Sequence, residues 1–147
     1  MVLVKDFMPN ILIIEGQEKT RKLLVGAFKR ENYKTCDGTD WEKAVEFLNK
    51  NVYDLIIVDL EVKSPSGFEM LKVIKLTNPN AEIVAIFHPN EYDKDRIISY
   101  GVYDYVLKPF LLRDIVGVVK KALEKKQLSD KVRNLEQIRD MDKFALS

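Results

Sequence analysis

The sequence predicts one doubly wound α/β domain of five strand–helix units, continued by a helical extension at its C-terminus. Three observations carry that expectation. Short β-branched runs alternate with segments of helical period along the chain. The strand-like runs are continuously apolar rather than alternating, as strands covered on both faces read. The chain is 147 residues long, which suits one domain with a sizeable core. Five such units in a row imply a parallel sheet with helices on both faces and right-handed crossovers.

The elements follow in order. Asn10-Ile-Leu-Ile-Ile-Glu15 reads as a buried first strand ending in an acid. Glu18 to Glu31 is helical, with Leu23, Leu24, Ala27 and Phe28 as its apolar stripe. Tyr33 to Cys36 is a short second strand closed by the turn pair Asp37-Gly38. Thr39-Asp-Trp-Glu42 reads as a capping box with Thr39 as the cap. Behind it Trp41, Ala44, Val45 and Leu48 recur at helical spacing. Asp54 to Asp59 is the third and most hydrophobic strand, hence central, and its exit loop holds Glu61, Lys63, Ser64, Pro65 and Gly67. Ser66-Gly-Phe-Glu69 is a second capping box, opening a helix that buries Met70, Leu71 and Ile74.

Asn78-Pro-Asn80 turns the chain into a fourth strand, Ala81 to Phe87. Asn90 to Tyr100 is a weaker helix carrying Ile97 and Ile98, with Gly101 placed to cap its end. Tyr103 to Leu107 is the fifth strand, and from Leu111 the chain is helical again around Ile115, Val118, Val119 and Ala122. Parallel sheets react at the carboxyl ends of their strands, which places Glu15, Asp59, Phe87 and Lys108 at the site.

Composition narrows the function classes. Lys and Arg number 24 against 23 Asp and Glu, a net charge of +1, so no global field draws the chain to nucleic acid or an anionic membrane. Neither is expected as a direct partner. Cys36 is the one cysteine, which excludes an intrachain disulfide and fits a reducing cytoplasm. The opening Met1 to Pro9 is too short and too broken by charge for a signal peptide, and no apolar run reaches membrane-spanning length. Lys120-Lys121 and Lys125-Lys126 read as a solvated helix face. The lone His88 has no metal-binding partners in sequence and reads as a loop residue before Pro89.

Three segments in register resemble the receiver domain of bacterial response regulators (the CheY-like family): Ile11 to Glu15, Asp54 to Leu60 with Gly67 eight residues after Asp59, and Gly101 to Phe110 with its Lys-Pro-Phe ending. The resemblance spans about residues 10–125 and implies a flavodoxin-like five-stranded sheet of order 2-1-3-4-5. On that resemblance residues 1–9 are an N-terminal extension, 10–125 the receiver, and 126–147 a C-terminal helical extension. It implies that Asp59 accepts a phosphoryl group from a histidine kinase and that Lys108 contacts the phosphoryl oxygens. It also makes the Lys108–Pro109 bond cis and Tyr105 the aromatic switch. Cations must offset the charge that develops when a carboxylate attacks a phosphoryl donor. Glu15, Asp59 and Glu61 are the metal positions.

The chain departs from the family at Gly16, where a second metal-binding acid is expected, and at Phe87, where the family has the switch threonine or serine. His88 stands where the family keeps a small residue, which is expected to make the pocket smaller and drier. No cofactor is firmly implied, and Mg²⁺ binding is expected to be weakened; Glu18 is a substitute ligand only in principle. The expectation is an atypical receiver with an impaired or absent phosphorylation switch, working through a kinase or downstream effector, with Asp59 and Lys108 in a standing ion pair. The alternative is a working receiver phosphorylated on Asp59. An enzyme on this fold is disfavoured, because no Gly-rich phosphate loop, nucleophile–base pair or metal-ligand cluster is present. The helix continues past Lys125, and Ala122, Leu128, Val132, Leu135 and Ile138 form a partial coiled-coil seam. They are expected to support a homodimer, either there or through the face of the fourth and fifth helices; the bland alternative is a linker to an output domain.

Overall fold

The computed structural model describes residues 8–61 and 65–146, the side chains of 144–146 excepted. Most of the expected N-terminal extension, and Lys63 and Ser64 of the exit loop, lie outside the described residues. Five strands, β1 (Asn10–Ile14), β2 (Lys34–Gly38), β3 (Leu55–Asp59), β4 (Glu82–Phe87) and β5 (Asp104–Leu107), form one parallel sheet of order β2-β1-β3-β4-β5. Five helices alternate with them: α1 (Glu18–Arg30), α2 (Trp41–Lys50), α3 (Gly67–Thr77), α4 (Lys94–Ser99) and α5 (Leu112–Leu146). This is the flavodoxin-like topology expected.

Strand alternation divides the core in two. Leu12, Ile14, Ile56, Val58, Ile83, Ala85 and Phe87 point to one face and pack under α2, α3 and α4. Ile11, Ile13, Leu55, Ile57, Val84 and Ile86 point to the other and meet Leu24 and Phe28 of α1 and Ile115, Val119 and Ala122 of α5. Both faces are covered, which is why the strand sequences lack polar alternation. In register, Ile14 lies opposite Val58 and Asp59 opposite Ile86, so the residues leaving β1 and β3 emerge side by side. That is where the chain order of the strands reverses, the natural crevice of such a sheet.

Several local expectations are corrected by tertiary context. Asp37 and Gly38 belong to β2 rather than to a turn, because β1 pairs with them and the Glu15 N–H donates to the Gly38 carbonyl at 3.2 Å. Helix α2 is capped by Asp40, not Thr39: its Oδ1 accepts from the Lys43 N–H at 2.8 Å. A carboxylate there also complements the positive end of the helix. The Ser66 cap stands as read, accepting from Glu69 N–H at 3.3 Å. Helix α4 starts only at Lys94, capped by Asp93, so Asn90–Tyr92 is free to serve the site. Leu23 is half exposed, because the buried stripe of α1 runs through Leu24, Ala27 and Phe28 instead.

Lys126 is also not part of a solvated face. It is buried, with Nζ 2.6 Å from Asp130 and 3.9 Å from Asp54 at the foot of β3. Asp54 in turn accepts from the Asn10 N–H. Its neighbour Lys125 bridges to Glu82 at 2.9 Å, so the start of the extension is fastened to the body by charge. Gly101 ends the α4 segment with φ +86°, the left-handed conformation expected of a capping glycine.

Candidate functional site

The carboxyl ends of β1, β3 and β5 surround a cleft of about 870 Å³ lined by Glu15, Asp59, Glu61, His88, Glu91 and Lys108, among others. Asp59 is 3 % exposed and Glu15 only 1 %, because each continues a fully buried strand into the crevice. Lys108 reaches them from the end of β5, directly before the cis Lys108–Pro109 bond. Its ammonium donates to Asp59 Oδ2 at 2.7 Å and to Glu61 Oε2 at 2.5 Å. The Glu61 N–H donates to Asp59 Oδ1 at 2.9 Å, so Glu61 holds both the acceptor carboxylate and its lysine. Burial by itself would lower the Lys108 pKa, but the two carboxylate hydrogen bonds outweigh it and raise the pKa.

Glu15 is the strained member. Its Oε1 accepts from the Gln17 N–H at 3.0 Å, while Oε2 is buried without a partner. Burial pushes its carboxyl up to about 7, helped by Asp59, which would share its proton and repels its charge. The Gln17 N–H and Lys108 pull the other way. An orphaned carboxylate oxygen beside a second carboxylate suits a proton or a hard divalent cation that keeps several waters. Among the described residues no group of three or more His, Cys, Asp or Glu side chains stands close enough to form a fuller cage. The residues present therefore fit Mg²⁺ through two carboxylates at most.

Of the residues singled out in sequence, Glu15, Asp59, Glu61 and Lys108 meet in the cleft, and Gly16 lies on its wall. Glu18 does not join them: it is exposed on the first turn of α1 and paired with Lys22 at 2.9 Å. His88 lines the cleft at its rim, half exposed and 3.9 Å from Glu61 Oε1. Phe87 turns away from the cleft into the core and is wholly buried. Its ring lies 5.6 Å from that of Tyr105 and 5.9 Å from that of Tyr92.

Two residues went unnoticed in sequence. Glu91 lines the cleft, and a proton shared with Glu61 raises its carboxyl pKa. Tyr92 ties three segments together: its hydroxyl accepts from the Gly67 N–H at 3.0 Å and donates to the Leu60 carbonyl at 3.2 Å. Its ring also meets Phe68 edge-on at 5.3 Å. Neither residue belongs to a periodic pattern, so only their position in the β4–α4 loop marks them.

Residues 11–120 match the family described as response regulator receiver domain. Response regulator ArlR of Staphylococcus aureus (strain NCTC 8325 / PS 47) is 28% identical over 123 residues, covering 84% of this chain and 56% of that protein. The chain thus spans about half the length of the curated relatives it matches. NtrX from Brucella abortus superposes with a TM-score of 0.80 at 26% identity, over 88% of this chain and 30% of that one. A CheY-like receiver domain protein from Methanospirillum hungatei JF-1 shares the fold with a TM-score of 0.76 at 15% identity, over 84% of this chain and 99% of that one.

Proposed function

The chain belongs to the response regulator receiver domain family, and from that premise we propose that it is an atypical receiver of two-component signalling. In this reading it acts by protein–protein contact, and its phosphorylation switch is impaired. The body is residues 10–125, the helical extension 126–147, and the partner a histidine kinase or a downstream effector in the cytoplasm. No helix among the described residues is long and apolar enough to cross a membrane.

The observation that carries the reading is Phe87. A hydroxyl at the end of β4 would follow a phosphoryl group and draw Tyr105 with it. Phe87 has no donor, and its ring is locked in the core between Tyr92 and Tyr105. Moving it would open a cavity that the core does not tolerate cheaply. Lys108 is already engaged by Asp59 and Glu61, which supplies a standing charge arrangement without a phosphoryl group.

A second reading, a working acceptor at Asp59, is favoured by the unpartnered Glu15 Oε2 and the open cleft beside it. Glu15 and Asp59 would hold Mg²⁺, while the carboxylate of Glu61, at the third position the family implies, is engaged by Lys108. When bound, the metal supplies the positive charge that phosphoryl transfer to a carboxylate requires. This chain's own residues keep Asp59 oriented, through the Glu61 N–H, and place Lys108 against its free oxygen. Titration with Mg²⁺ and beryllofluoride, followed by NMR, separates the two. The atypical reading expects Tyr105 and the β4–α4 loop to stay unshifted. Saturable shifts running from Asp59 and Lys108 through Tyr105 would establish a working switch instead.

A further inference from the structure

Helix α5 changes its apolar face where it leaves the body. At about 100° per residue, Ile115, Val119, Ala122 and Lys126 share one side, the side docked against the sheet. Asp130 and Arg133 fall on that same side and extend Lys126 into an ion network along the helix, while Lys126 itself reaches Asp54 of the body at 3.9 Å. Leu128, Val132 and Leu135 lie within about 60° of one another and roughly 140° away from that docked face. They are 64 %, 54 % and 66 % exposed. The body does not cover them, because Ile115, Val119 and Ala122 pack against the sheet and turn the other side of the helix away from it. An isolated helix of this length is marginal in water, and three leucine- or valine-sized side chains in one exposed stripe add to that cost.

We propose that the stripe Leu128, Val132, Leu135 is covered by the same stripe of a second copy of this chain, in a parallel two-stranded coiled coil. The spacing of four and then three makes Leu128 a d, Val132 an a and Leu135 a d position. Lys131 then takes g and Glu136 takes e, both exposed. In a parallel pair, g of one helix faces the following e of the other, so Lys131 meets Glu136 of the second copy twice over. In an antiparallel pair with the same seam, Lys131 would sit beside Ile138 and Glu136 beside Ser129, with no charge complement. Ile138, at g, widens the seam on one flank and is itself exposed. A parallel pair also keeps both receiver bodies at one end, each held by its own Lys126. Three apolar layers make less than the about 1,600 Å² of a standard interface, so dissociation in the micromolar range is expected.

Sedimentation equilibrium of the full chain, from about 5 to about 500 µM, tests this against the chain mass of 17.1 kDa. The expected result is a reversible transition from one to two chain masses. Leu135→Asp should raise the dissociation constant at least about 30-fold while leaving the thermal midpoint of the body unchanged. Glu136→Lys should weaken the pair by placing like charges opposite each other. Adding Lys131→Glu should restore it to within about threefold, since the exchanged charges pair again. A chain that stays monomeric throughout overturns the proposal, and leaves the stripe to a different protein. A dimer that ignores Leu135→Asp places the interface elsewhere and also overturns it. Failure of the charge exchange to restore pairing overturns the parallel register.

Discussion

Replacing Lys108 with methionine removes the cation at the centre of the cleft and keeps most of the side chain's volume. Asp59 and Glu61, bonded to it at 2.7 and 2.5 Å, would face each other and Glu15 without compensation. The Asp59 and Glu61 side chains are 4% and 16% exposed, so water offers little screening. At an effective dielectric of about 20, each contact is worth several kcal/mol of attraction, most of it offset by the cost of burying the lysine. Stranding the carboxylates reverses that balance, and a loss of about 3 kcal/mol at pH 8 is expected. For a chain of this size that corresponds to a fall of about 6–12 °C in Tm. At pH 5, below the Glu15 value of about 7, Glu15 is protonated and one negative charge disappears, so the deficit should shrink. Urea unfolding of both proteins at the two pH values measures this. Asp59→Asn should cost far less, because it leaves Lys108 with Glu61 and relieves the repulsion on Glu15. A Lys108→Met protein within about 0.5 kcal/mol of the parent at pH 8 would refute the idea that the ion cluster holds the site together.

Two further outcomes follow from the same geometry. Native Glu15 keeps its proton up to about pH 7, whereas unfolded it releases it near 4.5, so the native state binds more protons in that window and stability falls as pH rises through it. Glu15→Gln should abolish this slope and add up to about 3 kcal/mol at pH 8 with little change at pH 4, read by urea unfolding. Tyr92→Phe should cost about 1–2 kcal/mol by leaving the Gly67 N–H and the Leu60 carbonyl unpaired. Gly67→Ala would place its Cβ 2.7 Å from the Tyr92 hydroxyl and 3.0 Å from Leu60 Cβ, costing about 1–3 kcal/mol. Combined, the two should cost somewhat less than their sum, since the phenylalanine removes the nearest clashing atom while ring carbon Cζ at 2.9 Å remains.

The sequence alone determined the five units, the helix cap at Ser66, the capping glycine at Gly101, and Asp59 and Lys108 at the ends of their strands. These depend on periods and caps that act within a few residues, so a linear reading reaches them. Tertiary structure decided the rest, because it depends on strand register and on the direction each helix leaves the sheet. Asp37-Gly38 carries a turn signature, yet pairing with β1 keeps it in the sheet. Lys126 has the composition of a solvent face, yet Asp54 at the foot of β3 gives it a buried partner. Glu61 takes hold of Lys108 across 47 residues of chain, and Tyr92 bridges 25 residues to Gly67 and 32 to Leu60. Leu128, Val132 and Leu135 were legible as a seam, but that they face away from the body follows only from which side of α5 packs against the sheet. Local sequence sets which elements form; the partners that meet in the cleft are chosen by parallel crossovers, which bring distant residues together at one edge of the sheet.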